Sequence, residues 1–182
     1  DHEVLKKLNV DSNDRYFLLR FVAWNANHDV NQYGFSKEQK RILINTLEEY
    51  GHVFISSEAK IEPEFEKYRF KLPPKDMHSV IFYADLYAGD SQSMATESAL
   101  LGTPPLRYNS FVGSKDMSNF QVLQKQHKML LNLDSLSKVI QSSIDFVVQD
   151  KKSLWIKKRE SYFKNKKDLN IETLNILENF IS

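Results

Sequence analysis

The residues whose types and spacing are suited to chemistry lie in one run: Ala84-Asp85-Leu86-Tyr87-Ala88-Gly89-Asp90-Ser91-Gln92-Ser93-Met94-Ala95-Thr96-Glu97-Ser98-Ala99-Leu100-Leu101-Gly102-Thr103-Pro104. Asp85 to Gly89 reads as a strand, Asp90 to Ser93 as a polar turn, and Met94 to Leu101 as a helix that Gly102 stops. A helix that begins at the carboxyl end of a strand offers unpaired backbone N–H groups and the positive end of its dipole, which together hold phosphate. The turn Ser91-Gln92-Ser93-Met94 is therefore the candidate phosphate site, with the Ser91 and Ser93 hydroxyls as additional donors. Glu97, about one turn into the helix, can accept hydrogen bonds from both hydroxyls of a ribose. The same residues also fit a plainer arrangement, a capping serine and a surface carboxylate.

A second candidate is His28, in the polar loop Trp24-Asn25-Ala26-Asn27-His28-Asp29-Val30-Asn31-Gln32-Tyr33-Gly34. Ligands of open parallel sheets bind at the carboxyl ends of strands, where such a loop sits. An imidazole there can donate to phosphate or exchange protons near neutral pH, or it can simply bond Asp29 or Asn25. His52, His78 and His127 each stand alone and read as structural. Glu58, Glu62, Glu64 and Glu66 share a loop without His or Cys at ligand spacing, so no metal is expected.

These residues need elements to position them. Arg15 to Ala23 is apolar and strand-forming, and Ser36 with Gln39 makes a capping box for a helix bearing Ile42, Leu43, Leu47 and Tyr50. Gly51 stands where a left-handed helix stop belongs, and His52 to Ser56 reads as the second strand. Residues 57–69 read as loop with room for a short helix, Phe70 to Leu72 as a short strand, and Pro73-Pro74 as the start of a helix with Met77, Val80, Ile81 and Ala84 on one face. Pro105 to Tyr108 is another strand, and helices are expected over 116–127, 134–149, 150–164 and 171–181. This alternation predicts an α/β fold, a Rossmann-like doubly wound parallel sheet flanked by helices, with a C-terminal helical tail. The boundary falls near Asp150: a nucleotide-binding domain over 1–150 and a helical extension over 151–182.

Composition bounds the rest. The 182 residues are 41% hydrophobic, enough for a complete core, and 25 Lys and Arg against 24 Asp and Glu give no general sign of nucleic-acid binding. Without cysteine there are no disulfides, thiolate metal sites or cysteine nucleophiles, which fits a cytoplasmic protein. No apolar run approaches the roughly 20 residues that span a bilayer. The sequence opens on Asp1 with no visible signal peptide, and residues upstream are expected. Residues 150–168 carry eight Lys and Arg interleaved with Trp155, Tyr162 and Phe163. That pattern fits a helix with one docked aromatic face, or a surface for the inner face of a membrane bearing a lipid-linked acceptor.

The run around Asp90 resembles the donor-site signature of GT-B glycosyltransferases: an acidic strand end, a small-residue turn, an internal Glu, then Leu101-Gly102-Thr103-Pro104. It is most similar to the UDP-N-acetylglucosamine 2-epimerase branch, whose pattern is Asp-Ser-Gly-Gly, a Glu four residues on, then Leu-Gly-x-Pro. Trp24-Asn25-Ala26-Asn27-His28-Asp29, Phe54-Ile55-Ser56-Ser57-Glu58, Met77-His78 and Gly89-Asp90-Ser91 together look like a GT-B-like family of bacterial and archaeal proteins, over roughly residues 16–112. The resemblance implies that Asp90 and Ser91 match the Asp-Ser pair, that Gln92 and Ser93 replace the glycines, and that Glu97 binds ribose. It places the base near Phe70 to Pro73, with Leu72 as the apolar wall, and His28 near the diphosphate, although the arginines usual in that loop are lacking. It further implies a metal-independent reaction without cofactor on a nucleotide diphosphate sugar, UDP-linked as in that branch, and an N-terminal partner domain supplying the acceptor site. The alternative is a flavodoxin-like module that binds a ligand or protein without chemistry; a receiver is disfavoured because Trp24-Asn25-Ala26 supplies no acidic pair.

Overall fold

The computed structural model describes residues 1–24, 32–57, 60–113 and 116–181. In chain order the elements are α1 (Glu3–Leu8), β1 (Tyr16–Phe21), α2 (Lys37–Glu48), β2 (His52–Ser57), α3 (Met77–Tyr83), β3 (Leu86–Gly89), α4 (Gln92–Leu101), β4 (Pro105–Tyr108), α5 (Ser118–Lys125), β5 (Leu131–Leu133), α6 (Leu136–Val148), α7 (Lys152–Phe163) and α8 (Leu169–Ile181). Short 3-10 turns at Pro63–Tyr68 and Pro74–Asp76 lie between β2 and α3. The strands form one parallel sheet in the order β2-β1-β3-β4-β5. A single parallel bridge, Ile55 to Arg69, adds a position outside β2. Counted as an edge, it makes the order 3-2-1-4-5-6, the doubly wound arrangement of dinucleotide-binding folds. The fold class expected from the sequence is the one observed.

Alternation along β1 explains the two layers. Phe17, Leu19 and Phe21 point into a core shared with Leu43, Ile44 and Leu47 of α2 and Val139, Phe146 and Val147 of α6. Tyr16 and Leu18 point the other way, toward Val4, Leu5 and Leu8 of α1, Val80 and Ile81 of α3, Met94, Ala95 and Ala99 of α4, and Phe120 and Leu123 of α5. A strand covered on both faces must be apolar throughout, as β1 is apart from Arg20. Trp155 of α7 belongs to the α2–α6 core and donates its indole N–H to Met129 O at 2.6 Å.

Several local expectations change. The capping box at Ser36 and Gln39 is present, but the buried face of α2 is Leu43, Ile44 and Leu47, with Ile42 exposed. Gly51 is no left-handed stop; a Cβ there would sit 2.5 Å from Arg15 O, so close packing against the lead-in to β1 requires glycine. Gly102 does cap α4 in the left-handed conformation, φ 85°. Phe70 to Leu72 contributes no strand beyond the bridge at Arg69, whereas α1 and the three-residue strand β5 were not expected. No helix among the described residues is long and apolar enough to cross a membrane.

Candidate functional site

The site follows from where the winding changes direction. After β1 the chain crosses to α2 on one face, and after β3 it crosses to α4 on the other. The connections diverge at the carboxyl ends of these neighbouring strands, and the crevice between them is where such sheets bind ligands.

At its centre, α4 starts at Gln92, two residues earlier than the sequence suggested, with Ser91 as N-cap. The Ser91 hydroxyl accepts from the Met94 N–H at 3.4 Å and lies 3.5 Å from the Ser93 hydroxyl. Ser91 and Met94 are buried, Gln92 is partly buried and Ser93 is exposed. The capping arrangement engages the Met94 amide and leaves those of Gln92 and Ser93 without intrahelical acceptors, as any helix start does. Glu97 projects from the second turn, partly exposed, with Oε2 3.8 Å from Nε2 of His78 on α3. Read from sequence as a structural histidine, His78 thus lies beside the candidate ribose carboxylate. Leu72 is partly buried and, like Phe70 and Met77, packs against the core that includes α3 and α4. His28 and Glu58 lie outside the described residues.

Asp90 is not a rim residue. It is 2% exposed, and its Oδ1 accepts from Val22 N–H at 2.8 Å while Oδ2 accepts from the Trp24 indole at 3.1 Å and Phe35 N–H at 3.4 Å. Its own carbonyl accepts from Asn109 Nδ2 at 2.9 Å. Burial pushes its carboxyl up to about 6, against the pull of those donors. Beneath it the Tyr87 hydroxyl reaches the Ser91 carbonyl at 3.3 Å, and burial raises the phenol well above its ordinary value. Asp90 and Glu97 add to that rise, and Arg20 opposes it.

Sequence reasoning also passed over two arginines. Arg20 is the next-to-last residue of β1, on the α4 side by alternation from Leu18, and donates to Ser56 Oγ at 2.7 Å. A cation at the carboxyl end of an otherwise apolar central strand is itself a signal. Arg107, fully buried in β4, donates to Asp116 at 2.5 and 3.1 Å, to Asn132 at 2.7 Å and to Asn109 at 3.4 Å, and its guanidinium lies 3.9 Å over the Phe120 ring. It ties Asn109 and Asp116, which lie between β4 and α5, to β4.

The acidic loop residues are engaged in ion pairs: Glu62 with Lys40, Glu64 with Arg41 and Lys37, and Glu66 with Arg69. No cluster of metal-ligating side chains occurs among the described residues. A cavity of about 680 Å³ opens at the opposite ends of β1 and β2, between Arg15, Tyr50, His52 and Tyr68. Charges lining it are paired, His52 with Asp14 at 3.5 Å and Lys67 with Glu48 at 3.7 Å.

The architecture defines a Rossmann-like α/β class, and comparison with solved structures places it alongside GT-B glycosyltransferases at the level of fold. The chain superposes on the wall teichoic acid polymerase TagF with a TM-score of 0.56 at 12% identity, covering 90% of this chain and 42% of that one. A point variant of TagF gives 0.55 at 10% identity, covering 90% and 41%. The chain therefore spans less than half the length of these proteins. No family model matches the sequence, and no curated protein matches it. The likeness is one of fold, and it does not reach the epimerase branch.

Proposed function

We propose that this chain is the donor-binding half of a nucleotide-sugar-dependent glycosyltransferase or epimerase-like enzyme. The observation that carries the reading is the start of α4 at the carboxyl end of β3, beside the change of winding, with Glu97 one turn further along and accessible. The diphosphate of a UDP-linked sugar lies at Ser91 to Met94, on the free Gln92 and Ser93 amides, and the ribose lies on Glu97. Arg20 is the cation for a site whose β1 loop lacks arginines, and Leu72 lines the base. As the glycosidic bond breaks, the leaving diphosphate gains negative charge, and fixed N–H donors stabilise it without reorganising. His28, from the β1 loop, is the proposed further donor or proton carrier there. The acceptor and its base come from a second domain, so residues 1–182 alone bind nucleotide weakly and turn nothing over. TagF, named as a polymerase of wall teichoic acid, supports a polymeric acceptor.

Calorimetry with UDP tests the reading. Glu97→Ala removes a charge-assisted hydrogen-bond acceptor and lowers affinity about ten- to a hundred-fold, roughly 1.5–3 kcal/mol, with the fold unchanged by circular dichroism. Equal affinity in the variant removes Glu97 from the site. The five strands taken without the Arg69 bridge have the flavodoxin-like order, which favours a non-catalytic binding module as the second reading. Failure to bind UDP, GDP, CMP or ADP selects it.

A further inference from the structure

We infer that Asp90 is a positioning residue: its carboxylate ties both ends of the segment joining β1 to α2 onto the carboxyl end of β3, and protonating it releases Trp24 and slackens the adjoining site. The three donors come from different places in the chain. Val22 and Trp24 follow β1, and Phe35 precedes α2. Gly34 passes so close that a Cβ there would lie 2.0 Å from Asp90 Oδ2, so the chain can lie against the carboxylate only as glycine.

Trp24 holds φ at 50°, a left-handed conformation that a bulky side chain adopts only when its surroundings impose it. Its indole is held by Asp90 on one side and faces Phe111 at 6.0 Å on the other. Asn109 completes the tie by bonding the Asp90 carbonyl while accepting from Phe111 N–H at 3.1 Å and from Arg107. The next residue, Ser91, caps α4, so a shift at Asp90 is passed directly to the phosphate turn.

The latch is built to titrate. Asp90 is surrounded by N–H donors, with no contacting cation among the described residues; the titratable groups there on the elements packed around it are Tyr87 of β3 and, acting on that phenol, Arg20 of β1 and Glu97 of α4. Burial without a cation raises its proton affinity into the range near 6. A protonated carboxyl keeps one full acceptor oxygen in place of two, so one or more of the three donors loses its partner. The strained Trp24 is the end least able to stay in place unaided.

The latch stands independently of any ligand; its effect on affinity rests on the proposed nucleotide site. Tryptophan emission is followed from pH 4.5 to 8 in the parent, Asp90→Asn, Trp24→Phe and His28→Gln, each checked for fold by circular dichroism. A transition near pH 6 is expected in the parent and in His28→Gln, and is expected to vanish in Asp90→Asn and Trp24→Phe. Its persistence in Asp90→Asn, its loss in His28→Gln, or its absence from the parent overturns the latch. Calorimetry with a UDP-sugar, whose diphosphate does not titrate in this range, then compares pH 5 with pH 7.5. About ten-fold weaker binding at pH 5 in the parent, with no pH dependence in Asp90→Asn, is the expected result. A pH-independent parent overturns the coupling to the site. No binding at either pH overturns the nucleotide reading, and with it the affinity half of the inference, while the emission data judge the latch separately.

Discussion

Asp90, buried, and Lys152, partly buried, are single charges at opposite ends of the same sheet, and their partners differ in kind. At the amino ends of β3 and β4, the Lys152 ammonium donates to the carbonyls of Phe82 and Ala84 and to the Thr103 hydroxyl. Those acceptors belong to the end of α3 and the turns entering the strands, and Thr103 is itself tied to Ile81 O at 2.6 Å. At the carboxyl end, Asp90 gathers donors from connecting segments. Burial disfavours the charged form in both, lowering the ammonium of Lys152, where Asp85 opposes the shift, and raising the carboxyl of Asp90. One end uses a partly buried charge to join rigid elements and dock α7. The other uses it to hold connecting segments beside the proposed ligand site, so a similar electrostatic cost stabilises the fold at one end and shapes the candidate site at the other.

The largest expected effect falls at the docked end. Trp155 is 3% exposed, packs on Phe146 at 5.0 Å and bonds Met129 O, so Trp155→Ala leaves a cavity and an unsatisfied carbonyl. A loss of about 3–5 kcal/mol in a urea titration is expected, without selective damage to nucleotide binding under conditions where the variant is folded. A cost below about 1 kcal/mol would show that α7 is a loosely attached tail, and the contrast between the ends would collapse.

Next in size is the pH dependence of stability that Asp90 contributes. Its folded value, about 6, lies above the ordinary 3.8, so the folded state binds the proton more tightly than the unfolded chain. The favourable contribution of the protonated form is therefore complete below about pH 4 and is lost as pH rises to 6, a swing of roughly 3 kcal/mol at 1.36 kcal/mol per unit. Urea midpoints at pH 4.5 and 7.5 measure it against the parent's other carboxylates. Asp90→Asn should gain stability at pH 7.5 relative to its own value at 4.5 by more than the parent does. Identical pH profiles in the two proteins would place the ordinary titration of Asp90 outside the fold's energetics.

How much of this was legible beforehand follows from the range of each interaction. The capping box at Ser36 and Gln39, the apolar β1 and the strand–turn–helix run at 84–104 are local patterns, and all three are present. β5 was missed because Leu131-Asn132-Leu133 is too short to show a period, and its pairing with β4 is what makes it a strand. Gly51 was assigned to the wrong cause because an approach to Arg15 O, 36 positions away by the numbering, leaves no local mark. Asp90 reads in sequence only as the acidic end of a strand, because its Val22 and Phe35 donors lie 68 and 55 positions away. Buried charges were the hardest class: Arg107 sits inside a four-residue strand, and only the fold brings Asp116 and Asn132 to it.

The smallest effect concerns His78, and it decides where the site's rim ends. Its imidazole is 71% exposed, the Glu97 carboxylate 42%, and the 3.8 Å separation is near the limit of an ion pair. Exposed pairs of this kind are worth about 0.2–1 kcal/mol and weaken as salt screens them. His78→Gln keeps a hydrogen-bonding side chain of similar reach and removes the titratable ring, so stability should fall by less than about 0.5 kcal/mol. If His78 only steadies Glu97, UDP-sugar affinity should drop by less than about five-fold, under 1 kcal/mol, and the difference should shrink in high salt. Glu97→Ala, which removes the carboxylate itself, must then exceed it clearly. A His78→Gln loss equal to that of Glu97→Ala and insensitive to salt would mean that the imidazole touches the ligand directly, and the binding surface would extend from α4 across to α3.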